Sequence, residues 1–361
     1  MATSVNPQMT IQMHKKLKCR ICKKTIKKNN FKLCLTNAPL IDDFILEDSS
    51  EQEYLNDINT CKFGKCGVVQ NPSNRNLSEY ISTYGHFSSA ALLTKTFMSK
   101  MCDNLMLFFK EVNGRDATSV FEPGPGDGVK LAYFANKGCF VIGIEPNQGL
   151  VEASMNSGIN TRQGLFNRST INSTDYLSFD IGVTSYTFDN CTDPLGFLRV
   201  ANLMLKPNRL IAIEAHDLSE IERRSEYCLF EHEHIEYLGA HSIEELLRFS
   251  GLRICRINPI DKKCIRANSL VKRACKTATP FEGIYKPAQR NPKNNSQCNN
   301  FNLIINSLVA RVYKWVEQKS EILVGCGAED RGVMTLTQLS NTQNLKKFLA
   351  NEMEAQMGKC S

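Results

Sequence analysis

The chain has 361 residues, 42% of them hydrophobic, a net charge of +7 and 15 cysteines. That size and apolar content allow two or three domains with cores of their own, and no apolar run reaches the roughly 18 residues of a membrane span. An odd cysteine count, scattered mostly as single residues, argues against a secreted disulfide framework and for reduced thiols in a cytoplasmic setting; residues 1–18 lack the apolar stretch of a secretory signal.

The first segment is basic, with Lys15, Lys16, Lys18, Arg20, Lys23, Lys24, Lys27, Lys28 and Lys32 close together. Cys19-Arg-Ile-Cys22 forms one C-x-x-C knuckle, and Cys61 with Cys66 forms a second pair around a wider loop. Thiolates at that spacing can close around a tetrahedral structural zinc, so Cys19, Cys22, Cys61 and Cys66 are the candidate ligands, with Cys34 as a spare. Buried free cysteines in a small α/β lobe are the alternative. A nucleic-acid footprint would need aromatics among the lysines; only Phe31 stands there, so a solvated basic face is expected.

Residues 90–109 repeat apolar side chains at helical spacing. Tyr80, Tyr84, His86 and Phe87 precede them, as packing groups or as side chains reaching into a cleft.

The stretch from Ser119 to Pro146 organises the chain. A short apolar run ends at Glu122-Pro-Gly124-Pro125-Gly126-Asp127-Gly128, a helical face follows, and the run from Phe140 to Ile144 ends on Glu145 and Pro146. Strand, glycine turn, helix, strand and acid make half of a doubly wound sheet. A dinucleotide turn wants a third glycine where Val129 stands, and Glu122 and Asp127 would repel a pyrophosphate. They suit a cation such as the sulfonium and ammonium of S-adenosylmethionine, with Glu145 placed for the ribose hydroxyls.

Beyond Pro146, helices are predicted at 149–157 and 194–205, and strands at 159–161, 179–185 and 210–215. Such β/α alternation predicts a parallel sheet with its ligand crevice at the carboxyl ends of the strands. The residues following strands are then site candidates: 163–166, which include Phe166; 186–190; and His216. Next, Glu231-His232-Glu233-His234 and Tyr237 precede a helix capped by Ser242 and ended by Gly251. A histidine there can be a metal ligand, part of a solvated loop, or a general base oriented by a neighbouring carboxylate; the last is favoured.

Taken together, these motifs resemble the S-adenosylmethionine-dependent C-methyltransferases that act on nucleotide-linked deoxysugars. The likeness rests on Cys19 to Cys22, Cys66 to Gln70, Tyr84-Gly-His86-Phe-Ser-Ser89, Glu122 to Gly128, Gly143 to Pro146, and His232-Glu-His234 with Tyr237. It implies a zinc-binding lobe at 1–75, a class I Rossmann-like methyltransferase core at 76–258, and a C-terminal Rossmann-like lobe at 259–361. By the same resemblance His234 is the base, Glu233 polarises it, and His232 lies nearby. Tyr84, His86, Tyr237 and Arg266 would contact the sugar nucleotide. Glu231 stands where the family has a tyrosine, Asn190 where it has a histidine, and Lys262-Lys263 where it has glycines.

Residues 275–300 read as a linker, 301–319 as an amphipathic helix, and 322–332 as a further strand and turn. The C-terminal lobe is therefore expected to be short, an α/β unit that a homodimer would complete. C-methylation of a 4-keto deoxysugar is the favoured activity. Its rivals are O- or N-methylation of a small molecule or RNA, and an inactive cofactor-binding relic.

Overall fold

The computed structural model describes residues 18–25, 32–35, 58–62, 66–71, 87–90, 92–218, 221, 229–230, 234–259 and 269–275. Tyr84, His86, Glu231, His232, Glu233, Lys262, Lys263, Arg266 and the expected C-terminal helix and strand lie outside those residues.

The central sheet contains β4 (Ser119–Pro123), β5 (Phe140–Glu145), β6 (Thr161–Gln163), β7 (Phe179–Ser185), β8 (Leu205–His216), β10 (Arg253–Pro259) and β11 (Ser269–Cys275). Its order is β10-β11-β8-β7-β4-β5-β6. The strands from β6 to β8 pair in parallel, while β11 is antiparallel to both β8 and β10. Because β11 belongs to this sheet, the sheet extends past residue 258 to Cys275.

Helices α1 (Leu92–Asn113), α2 (Val129–Asn136), α3 (Gln148–Asn156), α4 (Pro194–Met204) and α5 (Ala240–Phe249) accompany the strands. Strand residues alternate between two buried layers, as expected of a sheet covered on both faces. Val120, Val141, Ile181, Val183, Leu210 and Ala212 join Leu105 and Phe109 of α1 and Leu131 and Phe134 of α2. Phe121, Ile142, Ile144, Ile211 and Ile213 join Leu198 and Ala201 of α4 and Leu246 and Leu247 of α5.

The predicted strand at 210–215 begins earlier, at Leu205. Its pairing with β7 slips where the Pro207-Asn208 turn intervenes, and Asn208 has φ 59°. Helix α5 starts at Ala240, so Ser242 lies inside its first turn; the Ser242 hydroxyl accepts the Gly239 N–H at 2.8 Å. The amino ends of the strands are tied at Asp180, which accepts from Arg115, from the Thr118 N–H and from Arg209 at 2.7, 2.9 and 3.0 Å. Burial alone would push this carboxyl up. The hydrogen bonds from Arg115 and Thr118 and the charge of Lys206 outweigh burial and hold it well below the usual carboxylate range.

A second sheet joins β1 (Lys32–Leu35), β2 (Ile58–Lys62), β3 (Val69–Gln70) and β9 (Glu236–Tyr237), in that order. The N-terminal segment therefore shares a sheet with the residues that follow His234. Cys19, Ile21, Cys66 and Val68 pack in the same buried layer as Phe121 and Ile142.

Candidate active site

The carboxyl ends of β4, β5, β7 and β8 form one edge, and the described candidates of residues 124–128, 145–146, 186–190 and 216 lie along it. The turn after β4 hooks onto the next strand through the Gly124 N–H, which donates to the Ile144 carbonyl at 2.9 Å. Pro125 leans over Gly143, where an added Cβ would come within 2.8 Å of the proline ring. Glu145 braces the turn from β5: one oxygen accepts the Gly126 N–H at 3.1 Å, the other the Asn147 N–H at 3.0 Å. Burial pushes its carboxyl up, and these two hydrogen bonds work against that shift. Pro146 follows half-buried, and Asn147 caps α3 by accepting the Leu150 N–H.

Gly126 has φ 57°, and a Cβ placed on it would meet nothing within 4 Å. The turn therefore offers bare backbone to open space, as a closely approaching ligand requires. Asp127 accepts the Ser89 N–H at 2.8 Å through Oδ2, while its buried Oδ1 has no hydrogen-bond partner among the described residues. An orphaned carboxylate oxygen beside an open glycine turn fits a cationic ligand. Gly128 leads into α2.

One sequence expectation changes here. Glu122 does not bring charge to the turn: its side chain is buried, and Oε1 lies 2.6 Å from Lys130 Nζ of α2. Burial pushes its carboxyl up to about 7 despite the lysine. Phe166 is half-buried, stacked on Phe121 at 6.0 Å and edge-on to Phe197 at 4.7 Å, so one side of its ring packs on the core.

The other half of the edge follows β7 and β8. Tyr186, at φ 54°, begins a turn anchored where Thr187 Oγ1 donates to the Ser185 carbonyl at 3.2 Å. It carries Asp189, whose Oδ2 lies 3.0 Å from His216 Nδ1 at the end of β8. His216 lies 5.0 Å from His234 between ring centroids. His234 Nδ1 is 3.0 Å from the Leu229 carbonyl. A carbonyl can only accept, so that contact puts the proton on Nδ1 and the basic lone pair on Nε2. Asp189, His216 and His234 each present a ligand-type atom within 4.8 Å of the others.

Tyr237 also departs from its expected role. It is 2% exposed, packed 4.5 Å from the Phe230 ring and 6.0 Å from the His234 ring, so it backs the histidine from inside the core. Glu236 beside it is buried, and burial pushes its carboxyl up to about 8.

In the N-terminal segment, Cys66 Sγ lies 3.3 Å from Cys19 Sγ and 3.7 Å from Cys22 Sγ. The Cys22 N–H points at Cys19 Sγ at 3.4 Å. Contact with Cys66 pushes the Cys19 thiol up, and the same contact draws Cys66 down to about 6. Cys61 lies on β2, opposite Gln70.

A sheet with one antiparallel strand near its edge and a glycine turn braced by the acid of the next strand defines the class. Residues 94–257 match a family described as a methyltransferase domain. The chain thus carries an S-adenosylmethionine-dependent methyltransferase domain of the class I α/β type. It is also similar to the C-methyltransferase NovU of Streptomyces niveus, with 22% identity over 241 residues, 65% of this chain and 55% of that protein. The chain thus spans about half the length of that relative.

Among solved structures, one similar chain belongs to the complex of the Haloferax volcanii Trm112 methyltransferase activator with a methyltransferase. Its TM-score is 0.45 at 14% identity, over 56% of this chain and 99% of that chain. Another is the Burkholderia thailandensis 1,6-didemethyltoxoflavin-N1-methyltransferase, with a TM-score of 0.43 at 16% identity, over 60% of this chain and 98% of that chain. Among the described residues no helix is long and apolar enough to cross a membrane.

Proposed function

We propose that this protein methylates carbon on a nucleotide-linked 4-keto deoxysugar. The observation that carries the reading is His234, held at the strand-end edge with its Nδ1 on the Leu229 carbonyl and its basic nitrogen therefore at Nε2. A ketone acidifies the neighbouring C–H, and an oriented neutral imidazole is suited to remove that proton. Similarity to a protein named as a C-methyltransferase supports carbon as the acceptor.

Glu145 and Asp127 would hold the adenosine and the cationic part of S-adenosylmethionine against the bare backbone at Gly126. When bound, the cofactor supplies an electrophilic methyl group. His234 takes the proton, Tyr237 fixes its ring from behind, and the buried setting of the histidines limits water near the carbanion.

The N-terminal cysteines serve as a structural zinc site in this reading. Sulfurs around one tetrahedral zinc sit roughly 3.8 Å apart, close to the 3.3 and 3.7 Å separations of Cys66 from Cys19 and Cys22. Cys61 is the proposed fourth ligand. No disulfide joins Cys19, Cys22, Cys66, Cys102, Cys139 or Cys191, which accords with a cytoplasmic protein.

The test is a transfer assay with methyl-labelled S-adenosylmethionine and a panel of nucleotide-linked 4-keto-6-deoxysugars, following label and deuterium exchange beside the ketone. Exchange and label on carbon are expected, and His234→Ala should abolish both while cofactor affinity stays unchanged. Label appearing only on oxygen or nitrogen of another small molecule or of RNA would replace this reading.

A further inference from the structure

Arg20 lies inside the Cys19 to Cys22 knuckle, yet its guanidinium reaches toward the histidines. Its Nη1 donates to the Asn71 carbonyl at 2.8 Å, and the Ile235 carbonyl lies 3.5 Å from the same nitrogen. The backbone of Arg20 is fixed as well. Its N–H donates to Gln70 Oε1 at 3.0 Å, while Gln70 Nε2 donates to the Lys18 carbonyl at 3.3 Å.

Asn71 passes the contact on. Its N–H donates to the Ile235 carbonyl at 2.9 Å, which adds a rung to the pairing of Gln70 with Glu236 and Val69 with Tyr237. The Ile235 N–H then donates to the Asp189 carbonyl at 3.0 Å, and Asp189 Oδ2 lies 3.0 Å from His216 Nδ1. One ladder of hydrogen bonds thus runs through Arg20, Asn71, Ile235, Asp189 and His216, and His234 is joined covalently to its middle rung.

Ile235 is gripped through both of its polar backbone atoms, from the knuckle on one side and from the turn after β7 on the other. Asn71, Ile235 and Asp189 are all buried, so water does not readily replace a rung that is lost. A reacting group has to be held within roughly 0.5 Å of its productive position. A histidine one residue from Ile235 keeps that precision only while both grips hold.

We propose that Arg20 is a positioning residue for the acid–base site, holding the ladder that sets where His234 and His216 stand. The proposal rests on the reading of His234 as the base. It gives the basic N-terminal segment a part in the chemistry through its arginine, whatever its sulfur atoms hold.

The first readout needs no substrate. In full-length protein labelled with nitrogen-15 histidine, Arg20→Met should shift the ring resonances of both His216 and His234. Affinity for S-adenosylmethionine in calorimetry should stay at the wild-type value, because the Gly126 turn and Glu145 share no rung of the ladder. The second readout is deuterium exchange in the ketosugar assay, where kcat should fall about a hundredfold with KM unchanged. Arg20→Lys serves if the methionine variant does not fold: it keeps the charge, but its shorter side chain ends short of the Nη1 position, and it should show the same shifts.

Wild-type resonances, or wild-type exchange, in whichever variant folds would overturn the proposal. A fall in cofactor affinity that matches the fall in exchange would also overturn it, since Arg20 would then support the whole domain. If the resonances shift as expected but wild type exchanges no ketosugar, the ladder stands and the acceptor reading fails.

Discussion

Lys130 Nζ lies 2.6 Å from Glu122 Oε1, and both side chains are sealed beneath the glycine turn. Removing one partner of such a pair strands a buried charge, at a cost of about 3–5 kcal/mol. Lys130→Met should therefore destabilise the protein by that amount in urea unfolding. Adding Glu122→Gln should recover most of the loss. A single variant as stable as wild type would mean that Glu122 is already protonated in the folded protein.

Gly126→Val tests the open face of the turn. Nothing lies within 4 Å of an added Cβ, so the protein itself meets little new contact beyond the cost of a side chain at φ 57°. S-adenosylmethionine should suffer instead, with its affinity in calorimetry falling at least about tenfold, or ~1.4 kcal/mol. Unchanged affinity would place the cofactor away from this turn.

Glu236 predicts a pH dependence. Its carboxylate oxygens have no hydrogen-bond partner among the described residues, and burial raises its carboxyl from 4.5 to about 8, against the opposing charge of Arg20. A carboxyl that is harder to ionise when folded contributes most below its ordinary value of 4.5; that contribution fades as pH rises toward 8. Glu236→Gln should be nearly neutral in melting temperature near the acid end of this window and stabilising above it. A constant difference across the window would assign the effect to packing.

The sulfur cluster predicts a metal content. Purified protein should hold zinc in equimolar amount, and Cys66→Ser should lose it along with several degrees of melting temperature, because bound metal stabilises the folded form. A full complement of zinc in that variant would exclude Cys66 as a ligand.

The glycine turn, its bracing acid and the strands around them were legible because each is local: apolar runs, glycines and a terminal acid lie within one short stretch. Lys130 was hidden by the same logic. It sits next to Val129 and Leu131 on a helix whose apolar face was read correctly, and only the fold turns its ammonium toward Glu122. Asp189 and His216 come from the ends of two different strands, and the parallel pairing of β7 with β8 brings them together. Tyr237 was expected as a substrate contact only through the family resemblance of its His-Glu-His segment. Pairing with Val69 sets its strand against the N-terminal segment, and the ring lies inside the core.

The pairing of β3 with β9 has a consequence for biogenesis. Arg20 donates to the Ile235 carbonyl at 3.5 Å across 215 positions of chain, and Gln70 is opposite Glu236. A ribosome releases Cys19, Cys22 and Cys66 long before it releases β9, the strand that completes the sheet beside them. Contacts this distant close late in folding. The nascent cysteines must therefore wait for the core before the neighbouring sheet is whole, and oxidants would do the most damage during synthesis, before the finished enzyme exists.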